Sequence, residues 1–120
     1  MIKITIFENS IENVGDIRGY LRTFANNNNI IIKESVYFKI EDMTQKIADV
    51  CLIDFKAYLD NQNELSQWQE EYNVKFIFAT SDIKDIVEII QSYPEQYCLL
   101  TPIEEESLFK IFDNLKTKIK

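Results

Sequence analysis

Apolar and polar residues alternate from the start of the chain. Ile2, Ile4 and Ile6 are separated by Lys3 and Thr5 and followed by Phe7, which predicts a β-strand ending near Glu8 and Asn9. From Ser10 to Asn26 the spacing changes to threes and fours, with Ile11, Val14, Ile17, Tyr20, Leu21 and Phe24 on one stripe. A helix is expected there, with Asn9 and Glu12 placed as a capping box. The polar run 26–29 reads as a loop, and Ile30-Ile31-Ile32 opens a second strand that reaches about Glu34. Between Val36 and Ile47 the recurrence of Ile40, Met43 and Ile47 predicts a second helix, although Val36-Tyr37-Phe38 extends the strand equally well.

Asp49 to Asp54 is continuously apolar between two acids, the pattern of a strand buried on both faces of a parallel sheet, and this puts Asp54 at the strand's carboxyl end. Leu65, Trp68 and Tyr72 then predict a short third helix over 61–72, with 55–60 as loop. Val74 to Ala79 is a fourth, buried strand. Asp82 to Tyr93 is a fourth helix carrying Ile83, Ile86, Val87, Ile89 and Ile90 on one side, with Thr80 and Ser81 as cap candidates and Pro94 as its stop. Tyr97 to Leu100 is the fifth strand. Beyond Thr101-Pro102, a fifth helix over 103–119 turns Leu108, Ile111, Phe112, Leu115 and Ile119 inward, with Glu104-Glu105-Glu106 at its positive end and Lys116, Lys118 and Lys120 at its negative end.

Five strands alternating with five helices predict a single α/β domain over 1–120, built as a doubly wound, parallel five-stranded (βα)5 sheet with helices on both faces. Such sheets bind ligands beyond the carboxyl ends of their strands, at the point where the strand order reverses. The candidate site is therefore Glu8, Asn9, Asp54, Thr80 and Thr101.

Composition removes most alternatives. With 13 basic and 20 acidic residues the net charge is −7, so direct nucleic-acid binding is not expected, nor is attraction to anionic lipid. No apolar run approaches the ~20 residues of a membrane span, and the first residues lead into a strand rather than a signal peptide, so the expected location is the cytoplasm. Cys51 and Cys98 lie in apolar stretches and read as reduced core residues. The absence of histidine excludes Ser-His-Asp triads, Cys-His pairs, HExxH zinc sites and histidine phosphotransfer. Two glycines, Gly15 and Gly19, allow neither a dinucleotide fingerprint nor a P-loop, and their GxxxG spacing implies tight packing at most. Nothing after Phe7 resembles the Ser/Thr phosphate loop of a flavin site.

Taken in order, Glu8-Asn9, Asp54, Thr80 and Thr101-Pro102 resemble the strand ends of the receiver domain of two-component response regulators, a flavodoxin-like three-layer sandwich, over nearly the whole chain. The resemblance implies that Asp54 is the phosphoacceptor, and that Glu8, Asn9, Asp54 and the backbone carbonyl of Lys56 form a Mg²⁺ shell. It further implies that Thr80 and Thr101 contact the phosphoryl group and that Pro102 follows a cis peptide. An aspartate takes phosphate only where a cation offsets the charge of the transferring group. The implied partners are a sensor histidine kinase or another signalling protein, with a homodimer through the fourth helix, fifth strand and fifth helix.

Several positions depart from the receiver pattern. Asn9 stands where receivers place the acidic direct metal ligand, which implies weakened Mg²⁺ binding, and Thr101 replaces a lysine with a group that carries no charge. Cys98 holds the place of the switching aromatic, with Tyr97 on the opposite face, and 55–60 lacks the usual Pro and Gly. The expectation is an atypical, degenerate receiver acting by protein contact, with weak or absent phosphorylation at Asp54. It is not an enzyme beyond self-catalysed transfer onto that residue. A working Mg²⁺-dependent phosphoacceptor and a ligand-free scaffolding module are the alternatives; in the latter Asp54, Thr80 and Asn9 only end strands and cap helices.

Overall fold

The computed structural model describes residues 1–8, 11 and 13–118. Asn9, Ser10 and Glu12, and hence the expected capping box, lie outside the described residues, as do Ile119 and Lys120. Five strands, β1 (Ile2–Phe7), β2 (Ile32–Tyr37), β3 (Val50–Asp54), β4 (Lys75–Thr80) and β5 (Tyr97–Leu100), pair in parallel in the order β2-β1-β3-β4-β5. The order reverses at β1, whose neighbours are β2 on one side and β3 on the other. The connections leaving β1 and β3 therefore diverge and leave a crevice at their carboxyl ends.

Alternate residues of each buried strand feed two apolar layers. Ile4, Ile6, Leu52 and Ile77 face α1 (Val14–Asn27) and α6 (Glu105–Lys118), with Leu21, Phe24, Leu108 and Phe112 filling that layer. Phe7, Cys51, Ile53, Phe76 and Phe78 face α2 (Ile40–Met43), α3 (Phe55–Asp60), α4 (Gln62–Tyr72) and α5 (Ile83–Ser92). On this second side Tyr58 lies 4.7 Å from Phe78 and Phe55 lies 5.2 Å from it, centroid to centroid. Trp68 packs on Phe76 and donates its indole N–H to Lys46 O at 2.8 Å. Burying an aromatic ring in such a layer contributes about 2 kcal/mol or more.

The structure corrects the sequence expectations at several elements. α1 begins at Val14, not Ser10, after Asn13 in the left-handed region (φ 53°); Ile11 is buried before the helix starts, its N–H on Glu8 O. β2 runs over Ile32–Tyr37, starting two residues later than expected and taking the extension through Val36 and Tyr37 that the sequence left open, because it pairs with the whole of β1 from Ile2↔Ile32 to Phe7↔Tyr37. α2 is a single turn, and Ile47 is 61% exposed instead of continuing its buried stripe. Residues 55–60 are helical rather than loop: Asp54 caps them, and Phe55 and Tyr58 are buried. On α5 only Ile89 is buried, while Ile83, Val87 and Ile90 face solvent. Gly15 and Gly19 pack against nothing, since a Cβ at either would meet no atom within 4 Å.

Candidate functional site

The carboxyl ends of the strands bring together the loops that follow β1, β4 and β5. Thr101 N–H donates to Thr80 O at 2.9 Å, and the Thr101–Pro102 peptide is cis. Just beyond it, Ile103 O accepts the side-chain N–H of Asn13 at 3.2 Å, which ties the start of α1 to the start of α6. The amide oxygen of Asn13 is buried and has no partner among the described residues. Asn13 was not singled out from sequence; its only local signal is that Asn tolerates the left-handed backbone the turn requires.

Asp54 closes β3, half-buried, in register with Ala79. Its Oδ2 accepts the N–H of Ala57 at 3.3 Å, one of the four unpaired donors at the start of a helix. Lys56 is exposed in the first turn of α3, where a peptide carbonyl points along the axis into the helical hydrogen-bond ladder. Glu8 is half-buried, with its N–H on Tyr37 O at 3.0 Å. Thr80 is 4% exposed; its hydroxyl donates to Asp85 Oδ2 at 2.6 Å and accepts the Asp82 N–H at 3.1 Å. Asp82 itself caps α5 by accepting the N–H of Lys84. Both hydrogen-bonding roles of the Thr80 hydroxyl are thus filled at the start of α5.

Cys98 and Tyr97 point to opposite faces, Cys98 against the Phe76–Phe78 layer and Tyr97 against the α1–α6 layer with its hydroxyl on Asn114 Oδ1. Burial pushes the Cys98 thiol above its ordinary pKa. On the Cys98 side Tyr93 is stacked edgewise on Phe55, Tyr58 and Phe78 and holds Gln62 Nε2 on its hydroxyl at 3.0 Å. Its phenol is shifted upward, first by burial, then by Tyr58 and Glu88.

A Mg²⁺ ion asks for near-octahedral oxygen donors, usually with one or two carboxylates. Among the described residues no three His, Cys, Asp or Glu side chains converge on a common point. Glu8 and Asp54 are the carboxylates at these strand ends, the latter already bonded to Ala57, and Asn9 lies outside the described residues. Among the described residues, these two carboxylates alone fall short of the donor set of a receiver-type cation shell. No helix among the described residues is long and apolar enough to cross a membrane.

A parallel five-stranded sheet ordered β2-β1-β3-β4-β5 with helices on both faces has the doubly wound, flavodoxin-like fold. The response regulator receiver protein from Burkholderia phymatum superposes with a TM-score of 0.72 at 15% identity, over 96% of this chain and 94% of that one. A de novo designed Rossmann 2x3 fold protein superposes with a TM-score of 0.63 at 13% identity, over 99% of this chain and 92% of that one. No protein-family model matches the sequence, and no curated protein matches it. Likeness at such identities establishes the fold; the chemistry rests on the residues described above.

Proposed function

We propose that the chain is a receiver-like signal-transduction domain of the two-component type that regulates by protein–protein contact, with phosphorylation at Asp54 weak or absent. The observation that carries this is the structural employment of the strand-end groups: Asp54 caps α3 and the Thr80 hydroxyl is held by Asp82 and Asp85. Thr101 brings no charge to an acyl phosphate, and Mg²⁺ binds weakly for want of carboxylates. The partners are a sensor histidine kinase or another signalling protein. The contact surface is α5, β5 and α6, where Ile83, Val87, Ile90 and Leu100 are exposed by 70%, 51%, 62% and 49%. The domain works in the cytoplasm, without direct contact to nucleic acid or membrane.

Asp54 and Thr80 also hold the two strand-end positions that a working Mg²⁺-dependent phosphoacceptor needs, and one measurement separates the two readings. Amide NMR spectra are recorded with and without Mg²⁺ and beryllofluoride, a mimic of the phosphoryl group. The expected result is little or no change at Glu8, Asp54 and Thr80. Shifts centred on those residues and spreading into α5, abolished by Asp54→Asn, establish the phosphoacceptor instead.

A further inference from the structure

The α2–α5 face of the sheet is apolar over β3 and β4 but polar over β1 and β2, where α2, four residues long, leaves it uncovered. A cavity of about 400 Å³ opens there. Three of its nine lining residues are lysines, Lys3, Lys33 and Lys46, and none is Asp or Glu, in a chain with 20 acidic residues and a net charge of −7. Lys3 and Lys33 are register partners on neighbouring strands, so two like charges stand side by side and repel. The ion pairs among the described residues use Arg18, Arg22, Lys110 and Lys116, and none of these three lysines.

The backbone beneath the charges is fixed. Lys3 N–H is held by Asp49 Oδ2 at 2.8 Å and Lys3 O by Asp49 N–H at 2.9 Å. Lys46 is held through its N–H by Met43 O and through its carbonyl by the Trp68 indole. Ser35 and Tyr37 add hydroxyls on the rungs beyond Lys33, and Ile47 adds an apolar wall.

We infer that this cavity is a binding site for a small phosphate-bearing polyanion, of the pyrophosphate or nucleoside polyphosphate class. Lysines act on phosphate as flexible point charges, and three of them with hydroxyl donors suit a group of several negative oxygens better than a single carboxylate. The cavity falls within the size range of small-molecule sites. It lies on the β1–β2 side of the sheet, lined by none of Asp54, Thr80 or Thr101, and so does not depend on the proposed signalling role.

Sodium pyrophosphate, ATP and, as a control, sodium sulfate are titrated into the full chain at low salt and followed by amide NMR. Pyrophosphate and ATP are expected to shift residues 3, 33–37 and 45–47, to bind more weakly as salt rises, and to bind at least about tenfold tighter than sulfate. Lys33→Gln combined with Lys46→Gln, both exposed positions, is expected to weaken binding about tenfold or more without changing the melting temperature, whereas Lys110→Gln leaves it unchanged. ATP tighter than pyrophosphate assigns the site to nucleotides, with the base against Tyr37 and Ile47; equal affinities assign it to the phosphates alone. Absence of binding, equal binding of sulfate, shifts mapping elsewhere, or an equal loss in Lys110→Gln overturns the inference.

Discussion

Asp54 Oδ2 accepts the Ala57 N–H, so any substitution at the candidate acceptor also alters the cap of α3. Asp54→Ala is expected to cost about 1 kcal/mol of stability, and Asp54→Asn, whose amide oxygen still caps, only a few tenths. Urea unfolding of the two variants checks this, and an equal loss in both would show that the cap contributes nothing. Cys51 behaves differently because it is fully buried: desolvation pushes its thiol from 9.0 up to about 12, against a smaller opposing contribution from Thr5. Between those values the folded chain keeps a proton that the unfolded chain has released, so stability falls as pH rises, by at most about 1.4 kcal/mol per pH unit from this group. Below about pH 8, where the thiol is protonated in both states, the effect vanishes. Denaturation at a series of alkaline pH values is expected to show the decline, which Cys51→Val reduces; Tyr93, also shifted upward, contributes in the same direction. Native labelling with a thiol reagent should reach half-buried Cys98 well before Cys51.

At the scale of elements, α1 carries two glycines on its exposed side, with room for a Cβ at both. Gly19 lies in the helix interior at an ordinary negative φ, where glycine costs roughly 0.5–1 kcal/mol relative to alanine. Gly19→Ala is expected to stabilise the fold by about that amount and raise the melting temperature by about 2–4 °C, read by calorimetry. α3 and α5 show how local signals were only partly legible. The strand ending at Asp54 could be read from its apolar run, but a helix starting in the next residue could not, because 55–60 is too short for periodicity to register. Its formation depends on the Asp54 cap and on Phe55 and Tyr58 meeting Phe78, a residue about twenty positions away along the chain. The existence of α5 was plain in Ile83, Ile86, Val87, Ile89 and Ile90. The direction of its apolar face was not, since a stripe at helical spacing is equally compatible with a core and with a partner surface.

For the whole molecule, the exposed residues Ile83, Val87 and Ile90 lie on one side of α5, and Leu100 of β5 is exposed as well. The homodimer proposed through α5, β5 and α6 would cover them. Sedimentation at rising concentration is expected to show a monomer–dimer equilibrium, and Val87→Asp to weaken it about tenfold or more by placing a charge in a desolvated interface. Circular dichroism of the variant should stay native, because Val87 is already half exposed. A strictly monomeric wild type at high concentration would remove the dimer from the proposal.

The α/β class, the five strands and the strand-end positions of Glu8, Asp54, Thr80 and Thr101 follow from the sequence alone. β3, β4, β5, α5 and α6 fall within one or two residues of their expected limits, because short apolar runs and helical stripes are local consequences of side-chain chemistry. Tertiary structure decided the rest. The pairing of β2 with all of β1 set that strand's limits, the single turn of α2 left three lysines around an open cavity, and the Thr80 hydroxyl was turned onto Asp82 and Asp85. Each of these depends on groups brought together from different elements or across a turn, and a linear pattern of polar and apolar residues carries the propensity of a segment but not the neighbours it will meet.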